Sequence, residues 1–313
     1  MKQSLLLLFL FLYSVSSFFT QELFPHNEPA SNVGKNVLTV RASSEEFQDQ
    51  GEIRNFQAYR FQFGLSANWM LTETFSFSNH HGSQLPNGFI LHDSLGAPYT
   101  QGASRGKSYP YLFESMKVNL KYRFLCRDSE HKHFRMAAYA DFSGGNEAHA
   151  EAEPNLTGDN SGMGAGIIST LLLHKFAASL NAGGILPADY KDVFRGIQMS
   201  YGKAAYVNLS LGYLLYPRVY TSYKQTNINL YAEFQFKTYG GAQILENGRS
   251  VSVQDVPALE PGSYLEFRPS IQFIIRSNTR VDLSLAEPLV NRSWTHYYPV
   301  YMFSIQQNIY FRQ

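Results

Sequence analysis

The side chains best equipped for chemistry are a handful of histidines and the hydroxyls beside them. His80 and His81 are adjacent and His92 follows in the same stretch. Gathered imidazoles could hold copper or zinc. Cys126, His131 and His133 form a second set, C-x4-H-x-H, with three side chains able to ligate a metal. Spacing argues against both. No C-x-x-C or H-x-x-x-H accompanies them, and adjacent histidines in an extended chain point to opposite faces. They are expected to be polar loop and turn residues, with no cofactor. Ser76, Ser78, Asn79, His80 and His81 bring together the residue types of a Ser–His hydrolase. The Ser-Asn-Gly pattern of outer-membrane phospholipases is missing, however, because His80 follows Asn79. Glu147, His149, Glu151 and Glu153 supply the acids and the histidine of a barrel protease without a fixed framework. The chain is therefore expected not to be an enzyme.

The elements that would position these groups follow a period of two. From residue 57 to 69, Tyr59, Phe61, Phe63, Leu65, Ala67 and Trp69 share one face, opposite Arg60, Gln62, Gly64, Ser66 and Asn68. From 115 to 124, Met116, Val118, Leu120, Tyr122 and Phe124 oppose Lys117, Asn119, Lys121 and Arg123. Residues 205–215, 227–237 and 263–276 repeat the pattern, and weaker runs cover 37–42, 74–80, 134–142, 162–173, 176–186, 280–285 and 298–311. The sum is about twelve strands. Many reach the roughly ten residues that a tilted strand needs to cross hydrocarbon. Connections alternate as well. Long ones (43–54, 81–112, 143–161, 187–198, 239–262, 286–297) follow odd strands, and mostly short ones (70–73, 126–133, 174–175, 216–223, 277–279) follow even strands. An outer-membrane barrel has this asymmetry of external loops and periplasmic turns. The expected fold is all-β: a closed antiparallel up-and-down transmembrane β-barrel.

Composition agrees. Charged residues make up 16% of the chain, against about 25% in soluble domains, while Phe and Tyr number 24 and 21. A net charge of +1 gives no electrostatic case for nucleic acid. Cys126 is the only cysteine, so no internal disulfide can form. Lys2 followed by the apolar run 5–12 and by Ser14, Ser16 and Ser17 has the layout of a secretory signal peptide. Cleavage after Ser17 or before Gln21 fits it. The expected organisation is a signal peptide at 1–20, an irregular periplasmic lead-in at 21–36 and the barrel at 37–313. The expected location is the outer membrane, with membrane lipid and the barrel-assembly machinery as partners of a monomer. The last strand alternates to Phe311, an aromatic near the terminus of the kind that machinery recognises.

Strand parity assigns the lumen. Arg60, Lys117, Lys121, Arg123, Lys237 and Arg268 face inward, with Glu233, Glu266 and Asp282. Turning a Lys or Arg to mid-depth lipid costs about 2–4 kcal/mol, which fixes the register. Six cations against three anions favour small polar or anionic solutes in an open pore. Lys117, Lys121 and Arg123 form the most concentrated stripe, with Glu233 and Glu266 as candidates to neutralise it across the lumen. The alternative is a surface-binding or structural barrel that works through the loops at 81–112 and 239–262.

Several short segments resemble a known family. Asn68-Trp69-Met70-Leu71-Thr72 leads into a strand, and Lys121-Tyr122-Arg123-Phe124 closes another. Gly158-Asp159-Asn160-Ser161-Gly162 opens a Gly-rich strand and Ile185-Leu186-Pro187 ends the next. Together they look like the transporter barrels of the MetA-pathway phenol-degradation family. The resemblance implies a transporter-like barrel of about twelve strands and carries over no site residue.

Overall fold

The computed structural model describes residues 24–49, 52–79, 111–145, 152–158, 160–192, 196–219, 222, 224–250, 259–293 and 299–311. Alternation becomes strand throughout: β1 (Val37–Asp49), β2 (Glu52–Gly64), β3 (Trp69–Ser78), β4 (Leu112–Ser129), β5 (Lys132–Gly145), β6 (Gly162–Leu173), β7 (Phe176–Pro187), β8 (Tyr190–Asp192), β9 (Ile197–Ser200), β10 (Ala204–Tyr216), β11 (Asn227–Tyr239), β12 (Gln243–Glu246), β13 (Arg249–Ser250), β14 (Gly262–Ile275), β15 (Thr279–Leu285), β16 (Glu287–Arg292) and β17 (Pro299–Tyr310). Thirteen of them share one sheet. β16 pairs only with β14, continuing the line of β15, so the other twelve make a closed ring in which β1 pairs with β17 and β11 with β14. β8, β9, β12 and β13 form a separate four-stranded sheet from two of the long connections.

The burial pattern is that of a soluble protein turned inside out. Lys121, Gln62, Gln272, Glu233, Glu266 and Asp282 are among the largest fully buried side chains. Leu120, Leu209, Leu230, Phe236 and Ile305 are exposed on the outside. Closure requires this arrangement, since it pairs every strand edge and leaves only the outer face to be matched to an apolar surrounding. On the outer face of β2, β3 and β4 aromatic pairs stand at two levels. Trp69 and Tyr122 stand 4.6 Å apart near the short turns, while Tyr59–Phe77 (6.0 Å) and Phe77–Phe113 (5.7 Å) lie towards the other end.

Glycines on the inner wall seat tyrosines. Tyr139 stands directly opposite Gly166, Tyr206 opposite Gly183, Tyr231 opposite Gly212 and Tyr239 opposite Gly262. At each of the four glycines, a Cβ would come within 2.6 Å of an atom of the opposed tyrosine. These glycines let large rings lie along the wall, where any other residue would hold them off.

Strand boundaries differ from expectation in several places. The strand expected at 57–69 ends at Gly64, with Leu65 and Ala67 in the turn that leads to Trp69 of β3, and the loop expected at 286–297 holds β16. The loop expected at 43–54 is mostly strand, because β1 and β2 run on as a hairpin paired from Ser43↔Ala58 to Asp49↔Glu52. Ser44, Glu46 and Gln57 replace apolar residues on its outer face, so the strands outrun the apolar belt and lose the alternation that marks them. The expected turn at 126–133 contracts to two residues, as β4 continues to Ser129 and β5 begins at Lys132. The turn expected at 70–73 also belongs to a strand, β3. There Glu73 faces outward between Phe61 and Val118, a carboxylate within the apolar belt.

Candidate functional site: the lumen and its N-terminal segment

Residues 24–36 of the lead-in are irregular. The described residues from Phe24 onward lie inside the barrel rather than below it. The chain leaves through the end that carries the short turns, where Lys35 bridges Gly64 and a Cβ on Gly64 would meet the Gly34 carbonyl at 2.1 Å. Irregular backbone is tolerated at this depth only where the lumen satisfies its polar groups. Here it does. The Glu233 carboxylate accepts the backbone N–H of His26 and that of Asn27, both at 3.0 Å, and the Ser210 hydroxyl at 2.7 Å. Ala30 N–H donates to Thr170 Oγ1 at 2.8 Å, and Arg41 donates to the Pro25 carbonyl at 2.5 Å. Apolar contacts add to these: Phe24 meets Tyr231 edge-on at 5.6 Å, and Ala30 packs with Ala137, Tyr139 and Ile168.

His26 is held by both ring nitrogens. Arg268 donates to Nδ1 at 3.0 Å and Nε2 lies 2.8 Å from Ser284 Oγ. An arginine cannot accept, so Nδ1 is the acceptor and the proton sits on Nε2, which donates to the serine. Burial first, then the Arg268 and Arg41 guanidiniums, hold this imidazole well below its usual titration range, so it is neutral at pH 7.

Glu28 carries the segment's main ionic contact. Lys121 Nζ lies 2.8 Å from Oε1 and Arg60 Nη1 3.3 Å from Oε2, while Gln62 Nε2 donates to both oxygens at 3.3 and 3.4 Å. Lys121 also donates to the carbonyls of Pro29 (2.7 Å) and Ser31 (2.8 Å). From the opposite end a second segment, 152–158, turns into the lumen. Lys237 pairs with Glu153 at 2.8 Å and donates to the Pro154 carbonyl at 2.6 Å, and Ser115 donates to the Thr157 carbonyl at 2.8 Å. Between the two segments lies a cavity of about 530 Å³, walled in part by Arg60, Lys117, Asn119, Asp141, Tyr139 and Tyr206.

All nine inward-facing residues expected from parity lie on the inner side of the ring, but they do not act as one lining. The stripe Lys117–Lys121–Arg123 is split three ways. Lys117 borders the cavity, Lys121 is buried against the N-terminal segment, and Arg123 donates to the Ala67 carbonyl at the β2–β3 turn at 2.7 Å. The carboxylates expected to neutralise the stripe, Glu233 and Glu266, make other bonds. Glu233 is occupied by backbone N–H groups, and Glu266 pairs with Arg268, two residues along β14, at 2.7 Å. Glu28 and Glu153, from the irregular segments, take the counter-ion role instead. Parity could have found Arg41, which shares the inward face of β1. Nothing periodic marks Glu28.

His80, His81, His92, Glu147, His149 and Glu151 lie outside the described residues. His133 and Arg135 converge on Asp128 at 3.1 and 2.7 Å, with Cys126 Sγ at 3.3 Å, while His131 turns away to stack on His174 at 5.0 Å. Among the described residues no three His, Cys, Asp or Glu side chains converge as a metal site. Ser76 and Ser78 face the lumen, bonded to Ser115 and Glu114, not the outer surface where a lipid-facing hydrolase would need its nucleophile.

A closed ring of twelve strands with a filled polar lumen can be set beside solved barrels. An outer membrane channel from Pseudomonas putida F1 superposes with a TM-score of 0.52 at 14% identity, over 93% of this chain and 100% of that one. The chain shares that channel's fold. A KdgM porin matches at a TM-score of 0.38 and 7% identity over 88% of this chain and 99% of that one. LpxR from Salmonella typhimurium matches at 0.38 and 11% identity, over 88% and 100%. No family model matches the sequence, and no curated protein matches it.

Proposed function

We propose that the chain is a monomeric outer-membrane channel for small polar or anionic solutes, reached through the 1–20 signal peptide and the barrel-assembly machinery, and held shut by its own N-terminal segment. One observation carries the reading: backbone from Pro25 to Ser31 is bonded to inward-facing side chains of β1, β4, β6 and β11. Such a segment obstructs a lumen that is otherwise polar, and its contacts are side-chain bonds that can be broken without unfolding the wall. The fold shared with a solved channel and the short motifs resembling the MetA-pathway phenol-degradation family support a transport role. The proposal needs no cofactor, nucleic acid or catalytic residue. Its test is single-channel recording of refolded protein in planar bilayers. Brief openings that lengthen when residues 24–33 lose their anchors are expected. Silence in the wild type and in every anchor variant would overturn the channel.

A further inference from the structure

We propose that Arg60, Gln62 and Lys121 form a binding site for the carboxylate of a small organic acid, and that Glu28 occupies it in place of the solute. The inference rests on reading the lumen as the solute path. The donors are spread over both oxygens of a planar group. Lys121 serves Oε1, Arg60 serves Oε2, and the Gln62 amide sits about equally far from the two. This is the pattern of carboxylate recognition, in which fixed donors match two coplanar acceptors rather than a sphere or a tetrahedron.

The surroundings fit a ligand as well as an anchor. Glu28 and Arg60 both border the cavity, and their side chains are 20% and 19% exposed while Lys121 is fully buried. The site is thus closed behind and open towards the space from which a solute would come. At about 530 Å³ that space falls within the usual range for small-molecule pockets. Leu156, Ile168 and Ile185 add apolar wall for the body of an organic acid. Lys121 keeps its bonds to the Pro29 and Ser31 carbonyls, so withdrawing the Glu28 side chain does not require dismantling the site.

The test is chemical replacement in the full-length protein. Glu28→Ala empties the site, and butyrate is titrated against it by calorimetry in detergent, with inorganic phosphate and chloride as comparison anions. Butyrate is expected to bind the variant at least tenfold more tightly than the wild type, and to raise the temperature at which the folded gel band is lost. Adding Lys121→Gln is expected to abolish both effects. If Glu28→Ala does not assemble, Glu28→Gln replaces it, since its neutral amide yields to a carboxylate. Folded variant that binds no butyrate, or binds phosphate equally well, would overturn the assignment and leave Glu28 a structural anchor. Calorimetry needs no conduction, so the two readings fail separately. Butyrate binding without any conductance sinks the channel, and conductance without binding sinks the carboxylate site.

Discussion

Replacing Glu233 with glutamine tests whether the N-terminal segment is held as described. The carboxylate offers one oxygen to His26 N–H and the other to Asn27 N–H, with Ser210 sharing the second. Glutamine keeps one acceptor and turns an NH2 group towards a backbone donor, so one of the two backbone bonds must be lost. A hydrogen bond to a charged group contributes about 1.5–3 kcal/mol, and roughly 1.4 kcal/mol is a factor of ten in an equilibrium. The ratio of displaced to seated segment should rise about 10- to 100-fold. Ser210→Ala removes a bond to the same carboxylate but none to the segment, and should change that ratio little. The assay places cysteine at Ala30, which is fully buried, in a Cys126→Ser background, and follows labelling by a charged maleimide. Bilayer recordings of the same variants give the open fraction. If Glu233→Gln labels and opens within twofold of its parent, or if Ser210→Ala has the larger effect, the reasoning is refuted.

Other expectations follow from the two faces of the wall. Leu209→Arg should block assembly or lower the heat-modification temperature sharply, at a cost of about 2–4 kcal/mol, because Leu209 points outward near mid-strand. Asn208→Arg, which points into the cavity, should assemble normally, and equal behaviour of the two would mean the register is wrong. Glu73→Leu should stabilise the barrel against urea by about 1–2 kcal/mol by removing a carboxylate from the apolar belt, and a loss of stability would show that Glu73 has a partner there. Gly212→Ala should destabilise by about 1–3 kcal/mol and speed the labelling at position 30, since the added Cβ would lie 2.5 Å from the Tyr231 ring on which Phe24 rests. Unchanged stability in that variant would mean the ring is free to move aside.

What the sequence determined by itself is the wall. Tyr59, Phe61 and Phe63 alternate with Arg60 and Gln62 because each residue of a strand crossing lipid answers to one of two solvents, a local constraint that leaves a period-2 mark wherever it applies. Strand number, inward parity and the outward faces of β2, β4, β11 and β14 were legible for that reason. The mark fades where the constraint does. β1 and β2 beyond Ala42 and Tyr59 run past the apolar belt and carry Ser44, Glu46 and Gln57 on the outer face, so they read as a loop although they pair without a break almost to the hairpin tip. Glu73 reads as a turn residue because a carboxylate in the belt breaks the alternation that marks a strand. The interior was decided only by tertiary structure. Inward polar residues on different strands become neighbours through ring closure, so Arg268 meeting His26 across 242 positions leaves no local trace. The segment around Glu28 has no period of its own. Its place is set by backbone groups that need partners, and by a ring of fixed donors and acceptors that exists only once the barrel has closed.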